Sequence, residues 1–236
     1  MQAVVPAAGS GTRLRPLTDS KPKGLVSVAG DPLLTHCFDR LLKLDIDEIV
    51  VVIGHRGEQI VDQYGDQYEH VPIRYVEQAE QKGLGHAVLQ AEPEIDGDFL
   101  VLNGDNVLGC SLNPVMQSQD SPTVDATLLV EKTTPEVAQT TGVVSTTDDE
   151  IVTDITEKPD QPSSTLVTTG VYVLPESIFA HCRGIPPSDR GEYELVDAIT
   201  RLRTNGGVIH AVERDGWRVN VNTPADRNQA ARKLGE

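Results

Sequence analysis

Four cations crowd one short stretch of this chain. Residues 7–23 read AAGSGTRLRPLTDSKPK and carry Arg13, Arg15, Lys21 and Lys23, directly after the apolar run Val4, Val5, Pro6. Gly9 and Gly11 let backbone N–H groups approach an anion, Arg13 can fork two donors onto phosphate oxygens, and Lys23 adds a point charge. That chemistry suits a nucleoside triphosphate; the competing reading is a solvated turn rich in Gly and Arg. Two other phosphate motifs fail. The spacing Gly9-x-Gly11-x-x-Leu14 lacks the third glycine of a dinucleotide fingerprint, and no G-x-x-x-x-G-K-[ST] occurs.

Three further segments hold groups that could act beside a triphosphate. Gln78 opens QAEQKGLGHA; its amide can donate to and accept from a base edge, and Gly83 leaves room for a ring against backbone. Asp105 in LNGDN offers hard oxygen to a Mg²⁺ ion, which takes few protein ligands and fills its octahedron with phosphate and water. Glu157-Lys158-Pro159 puts a carboxylate and an ammonium side by side. Taken singly, these read equally well as a polar loop, a turn-capping Asp and a surface turn.

The elements that must carry these groups follow from periodicity. Glu48–Gly54 (EIVVVIG) and Phe99–Leu102 read as strands buried on both faces, and Ile73–Glu77 as a third. Helices are expected at Leu33–Leu44, with Asp31 as N-cap and Pro32 at its first position, at Glu58–Tyr64 and at Gly85–Ala91. Strands alternating with helices make βαβ units, a mostly parallel sheet and a ligand site at the strands' carboxyl ends. From about Asp125 the pattern changes to strands at 126–130, 142–146, 151–155 and 167–174, separated by turns. Helices at 193–204 and 224–234 bracket strands at 208–213 and 217–221.

Taken together, the segments resemble the sugar-1-phosphate nucleotidyltransferases, which join an NTP to a sugar phosphate and release pyrophosphate. Residues 9–23 resemble that family's G-x-G-T-R-(L/M)-x-P-x-T-x-x-x-P-K, Gln78 to Ala87 its Q-x-x-x-x-G-L-(A/G)-x-A, and Leu102 to Asn106 its (L/V)-x-G-D-N. Thr141-Gly142-Val143, Glu157-Lys158-Pro159, Thr169-Gly170-Val171-Tyr172 and Arg190 to Asp197 are similar to its Y-G-V, E-K-P, T-G-(I/V)-Y and R-G-E-x-E-(L/I)-T-D, with Thr141 where Tyr is usual. The resemblance implies a three-layer αβα Rossmann-like nucleotidyltransferase fold with a mixed, mostly parallel central sheet and a sugar-binding insertion. It implies a single domain over 1–236, residues 1–124 forming a nucleotide-binding half and 125–236 a sugar-phosphate-binding half.

By the same resemblance, Ala8, Gly9, Gly11, Thr12, Arg13 and Lys23 line the nucleotide, and Gln78 and Gly83 meet a pyrimidine base. Gly142, Glu157, Lys158 and Thr169 hold the sugar phosphate, Arg13, Lys23 and Lys158 act in catalysis, and Asp105 holds Mg²⁺. Trp217-Arg-Val-Asn220-Val-Asn222-Thr-Pro resembles W-x-D-x-G-T-P, whose Asp is a second metal ligand; Asn220 stands there, and Asn222 competes with it because N-acetylglucosamine-1-phosphate uridylyltransferases use an Asn in this region. The implied reaction joins UTP or dTTP to a hexose 1-phosphate, glucose 1-phosphate first. An N-acetylglucosamine-1-phosphate uridylyltransferase and a non-catalytic nucleotide-binding relative are the alternatives. The β-helix of the bifunctional acetyltransferases and the long extension of the tetrameric thymidylyltransferases have no counterpart, so neither that activity nor that assembly is implied; a homo-oligomer of another kind stays open.

Composition limits the partners. With 36 Asp and Glu against 20 Lys and Arg, the net charge of −16 opposes binding to a nucleic-acid backbone. The apolar runs are too short for a membrane span, and the start MQAVVPAAG has no signal-peptide pattern, which makes a cytoplasmic protein the expectation. Cys37, Cys110 and Cys182 are odd in number, far apart and without C-x-x-C, so neither a disulfide framework nor a zinc site is expected. The acid excess is either an ordinary solvated surface or an adaptation to high salt, where self-repulsion is screened. Melting temperature should tell them apart: a rise with KCl up to molar concentrations marks the adaptation, and full stability in dilute buffer excludes it.

Overall fold

The computed structural model describes residues 1–235. By contact, the chain gathers into two compact units with interleaved segments. The first holds Met1–Gln81, Leu102–Ser111 and the run from Asp215 onward; the second holds Lys82–Val101 and Leu112–Arg214.

The chain opens the first unit with β1 (Gln2–Pro6), two 3-10 turns at Thr12–Leu14 and Lys23–Leu25, β2 (Ser27–Val28), β3 (Asp31–Pro32) and α1 (Leu33–Leu41). β4 (Glu48–Ile53), α2 (Glu58–Tyr64), β5 (Gln67–Tyr68) and β6 (Val71–Glu77) follow. β1 and β4 pair in parallel from Gln2↔Glu48 to Pro6↔Val52, and β4 pairs in parallel with β6 from Ile49↔Ile73 to Ile53↔Glu77. β5 runs antiparallel against the start of β6. The run Ile49–Val52 is wholly buried, as its unbroken β-branched sequence requires of a strand covered on both faces.

The chain then enters the second unit through α3 (Leu84–Gln90) and β7 (Phe99–Leu102) and returns for β8 (Asn106–Leu108). The second unit continues with α4 (Asn113–Gln119), β9 (Ala126–Lys132), α5 (Pro135–Ala138), β10 (Gly142–Thr146), β11 (Val152–Glu157) and β12 (Leu166–Leu174), then α6 (Ile178–Gly184), α7 (Leu195–Thr204) and β13 (Ile209–Glu213). Here the ladder is mainly antiparallel: β10 pairs with β11 and β12, and β12 with β9, while β13 joins β9 in parallel. β14 (Arg218–Asn220) and α8 (Pro224–Gly235) close the first unit, β14 lying antiparallel to β8 with Asn220 opposite Asn106. An apolar cluster of Leu14, Val28, Leu33, Val107, Val219, Val221 and Ala230 binds the phosphate-type loop to β8, β14 and α8.

Two local expectations are corrected. Asp31 does not cap α1: no side chain caps that helix, and Pro32 precedes Leu33. Instead Val28 pairs with Asp31 across Ala29 and Gly30, both at positive φ (53° and 106°), the backbone of a two-residue hairpin turn. The short helices α5 and α6 occupy stretches between expected elements, 131–141 and 175–192, that were expected to hold turns. In α6, Ile178, Phe179 and Cys182 are buried, so three apolar contacts suffice to hold a seven-residue helix that sequence periodicity barely marks.

Close backbone approach fixes where the glycine-rich loop leaves β1. A Cβ on Gly54 would stand 2.8 Å from the carbonyl oxygen and 3.1 Å from the Cα of Ala8, atoms that cannot swing aside, whereas one on Gly9 would meet nothing within 4 Å. Gly54→Ala should therefore cost about 1–3 kcal/mol in chemical denaturation. Gly9→Ala should be nearly silent in the same measurement, so any functional loss there would report on a ligand.

Candidate functional site

In the first unit the loop after β1 is tied to itself. Gly11 stands in the left-handed region (φ 61°, ψ 32°), a conformation that glycine adopts without strain, and a Cβ there would press on Thr18 at 2.9 Å and Lys23 at 3.0 Å. The Thr18 hydroxyl donates to the Gly11 carbonyl at 2.8 Å, and Leu14 is wholly buried as the loop's anchor. Ala8 is buried, while Gly9, Thr12 and Arg13 are exposed. Gln81, which sequence reasoning passed over, donates its amide to the Ala8 carbonyl at 2.8 Å and so holds the loop's entry. A cavity of about 340 Å³ borders the loop, lined by Ser10, Arg15, Thr18, Asp19, His55, Arg56 and Gln81.

The LNGDN turn is built with equal economy. Gly104 donates its N–H to the Pro6 carbonyl at 3.1 Å, and a Cβ there would lie 2.9 Å from that oxygen. The Cys37 thiol, from α1, donates to the Asn106 carbonyl at 3.2 Å, and burial pushes its pKa far above the ordinary thiol range, so it is a structural donor and no nucleophile. Arg218 donates to the Asn106 side chain at 2.7 Å across the β8–β14 pair, and the Val221 N–H bonds to the Asp105 carbonyl at 2.8 Å.

On this frame four of the expected residues meet. The Lys23 ammonium donates to Asp105 Oδ2 and to Asn222 Oδ1, both at 2.8 Å, and Arg13 Nη2 reaches the same Asn222 oxygen at 3.0 Å. Asp105 Oδ1, Asn220 Oδ1 and Asn103 Oδ1 are buried and have no hydrogen-bond partner. Among the described residues, no three of His, Cys, Asp and Glu gather in a group that could hold a metal. A cation site here would have to combine one carboxylate with amide oxygens.

The base-reading candidates fall on either side of the unit boundary. Gln78, only 4% exposed, directly follows β6 and donates its N–H to the Ile53 carbonyl at 2.8 Å. Gly83, at φ 97°, belongs to the second unit, where its segment is laced to the RGEYE segment: Tyr193 donates to the Lys82 carbonyl at 2.7 Å and Gly85 to that of Tyr193 at 2.8 Å.

The second unit gathers the sugar-phosphate candidates, with one exception. Gly142 pairs with Glu157 across β10 and β11, and a Cβ on Gly142 would come within 3.2 Å of the Glu157 carboxylate. Lys158 Nζ lies 3.2 Å from Glu157 Oε1, and Lys158 N–H bonds to the Thr141 carbonyl at 3.0 Å. Glu194, buried and named in the Arg190–Asp197 motif without an assigned role, accepts from Arg190 at 2.7 Å and from the Ser188 hydroxyl at 3.1 Å. Thr169 is the exception: it is wholly buried and its hydroxyl donates to the Leu129 carbonyl at 2.8 Å, so its side chain braces the sheet. Burial raises the pKa of Glu157 despite the adjacent Lys158, with Glu194 adding to the rise; burial and Glu194 do the same to Asp197.

Comparison with known proteins identifies the family of this chain. The nucleotidyl transferase family model matches residues 2–221. The UTP–glucose-1-phosphate uridylyltransferase AglF of Haloferax volcanii is 48% identical over 236 residues, covering 100% of this chain and 97% of that protein. The bifunctional protein GlmU of Methanococcus maripaludis is 35% identical over 96% of this chain, which spans about half (52%) of GlmU. Among solved structures, the UTP-bound UGPase of Acinetobacter baumannii superposes with a TM-score of 0.87 at 25% identity, covering 99% of this chain and 93% of that one. The expected α/β architecture, a mixed sheet with flanking helices, is thereby confirmed.

A buried carboxyl with a raised pKa lowers stability once it ionises. The folded protein holds the Glu157 proton more tightly than the unfolded chain, so this group's contribution is greatest in acid and is lost as pH rises through its folded-state pKa. Glu157→Gln should accordingly raise the melting temperature at neutral pH, and the gain should shrink as pH falls through the glutamate range. A gain independent of pH would show that desolvation of the charge is not its source.

Proposed function

Because the chain belongs to the nucleotidyl transferase family, we propose that it transfers a nucleotidyl group from a pyrimidine NTP to a hexose 1-phosphate, giving an NDP-sugar and pyrophosphate. UTP and glucose 1-phosphate are the proposed substrates, by likeness to AglF over the whole chain. The observation that carries the reading is the convergence of Lys23 and Arg13 on Asp105 and Asn222, two cations held by one carboxylate and one amide. Such cations are poised to exchange those partners for phosphate oxygens.

A sugar phosphate is largely a dianion at neutral pH, its second pKa being about 6. The nucleophile therefore needs no general base, and catalysis reduces to alignment and neutralisation of charge. Arg13 and Lys23 meet the triphosphate and stabilise the charge that passes to the leaving pyrophosphate. Ala8, Gly9, Gly11 and Thr12 follow the nucleotide, and Gln78 and Gly83 read the base. Lys158 orients the attacking phosphate and Glu157 accepts sugar hydroxyls beside Gly142, while Thr169 supports their sheet from behind. On this reading residues 1–124 serve mainly the nucleotide and 125–236 the sugar phosphate.

Mg²⁺ fits the donor set. Asp105 and Asn220 each keep a buried oxygen without a hydrogen-bond donor, and hard oxygen is the chemistry this ion selects. Asn222 is the weaker candidate, since its oxygen already serves Lys23 and Arg13. Bound there, Mg²⁺ would supply Lewis-acid neutralisation of triphosphate charge. The likeness to GlmU and an Asn in place of the pattern's Asp favour a second reading, an N-acetylglucosamine 1-phosphate uridylyltransferase.

Pyrophosphate release over UTP and dTTP crossed with glucose, galactose and N-acetylglucosamine 1-phosphates tests both. The highest kcat/KM is expected for UTP with glucose 1-phosphate; an optimum at the N-acetylated sugar would favour the second reading, and no turnover with any pair a non-catalytic relative. Asp105→Asn should lower kcat by about 10²-fold or more. Asn220→Asp should keep turnover and lower the Mg²⁺ concentration for half-maximal rate, and an unchanged requirement would remove Asn220 from the site.

A further inference from the structure

Asn222 accepts two cations on one neutral oxygen, yet it lies just beyond the end of β14, where no ladder fixes it. What fixes it lies four residues on. Asp226 Oδ2 accepts the backbone N–H of Asn222 at 3.0 Å and that of Thr223 at 2.8 Å, while the Asp226 N–H returns to the Thr223 hydroxyl at 3.2 Å. The last two bonds form a reciprocal cap of the capping-box kind at the start of α8, with Thr223 as the capping residue and Pro224 opening the helix. The bond to Asn222 lies outside that cap. α8 is itself anchored, by Arg227 Nε on the Ser27 carbonyl at 2.6 Å and by Ala230 in the apolar cluster.

We infer that Asp226 is a positioning residue for nucleotide binding: it ties the backbone of Asn222 to α8 and so sets where Arg13 and Lys23 await the triphosphate. The inference rests on the nucleotidyl-transfer reading above. A cap alone would need only the Thr223–Asp226 exchange. The additional bond carries the rigidity of a twelve-residue helix to an amide that both loop cations share. Holding the cations on a neutral oxygen near their working places lowers the ordering that the arriving triphosphate must impose, without an anion at position 222 to compete with it.

The tests are Asp226→Ala, Asp226→Asn and Thr223→Ala, with Asn222→Ala and its double variant with Asp226→Ala. Steady-state kinetics on the best substrate pair are measured alongside melting temperature. Asp226→Ala should lower kcat/KM for the NTP by about tenfold, leaving KM for the sugar phosphate within twofold or so. Asp226→Asn retains an oxygen of the same shape and should recover most of the loss. Thr223→Ala removes the cap's other half, so it should lower the melting temperature and leave the NTP kinetics intact. Asp226→Ala placed on Asn222→Ala should add little, since the path already lacks its end.

Equal loss toward both substrates, additivity in the double variant, or the same NTP defect in Thr223→Ala would reduce Asp226 to a helix cap and overturn the inference. If Asp226→Ala does not fold, Asp226→Asn and Thr223→Ala still decide: a NTP-specific loss in the second would overturn it, and near-wild-type NTP kinetics in both would support it. A wild-type protein inactive on every pair would instead defeat the nucleotidyl-transfer reading, a result separate from all of these.

Discussion

An ammonium shared between a carboxylate and an amide is the interaction on which the first unit turns. Lys23 comes from the end of the glycine-rich loop, Asp105 from the turn before β8, and Asn222 from the segment after β14. Three stretches far apart in sequence are thus fastened at one nitrogen. Each is separately stiffened: the loop by Thr18 and Leu14, the turn by Gly104 and Cys37, the last segment by α8. A half-buried ion pair of this kind contributes little stability by itself, because desolvation offsets much of the attraction. Its significance is positional, since a cation held by partners it can leave is available to a stronger anion.

Much of the fold was legible because burial on both faces leaves a continuous signature. EIVVVI and FLVL could be only interior strands, and both are. Helices with a full apolar stripe, such as α1 and α7, were equally plain. The failures came where two local rules competed. Asp31-Pro32 satisfies the rule for a helix start, yet Ala29-Gly30 before it closes a hairpin that claims the same residues. The short α6 offers too few turns for its period to show.

The candidate site was legible in its residue types and less so in its wiring. Gly11, Arg13, Lys23 and Asp105 were readable because their spacing repeats a known pattern, Asn222 only as a competitor to Asn220, and the fold brings Arg13, Lys23, Asp105 and Asn222 to one place. Gln81 left no such trace, because a polar residue in a polar loop looks the same whether or not it holds a backbone carbonyl. Thr169 shows the converse: its motif was legible, but not that its hydroxyl donates to the Leu129 carbonyl beside a bulge near Gly170. Glu194 was legible as part of the Arg190–Asp197 motif, but only three-dimensional contact reveals that Arg190 and Ser188 are spent on it.

The interleaving of the two units has a consequence for the order of synthesis. The glycine-rich loop leaves the ribosome ahead of Lys82–Val101 of the second unit, Asp105 follows, and the rest of the second unit, Leu112–Arg214, is made before β14 and Asn222 appear. The second unit is therefore complete while the first still lacks its closing strand and helix. A nascent chain halted before Asn222 would carry every cation of the loop and the carboxylate that faces Lys23, but no acceptor for Arg13. Lys23 and Arg13 acquire their shared acceptor only with the segment that closes the first unit, so the order of the sequence delays this convergence until the second unit has been made.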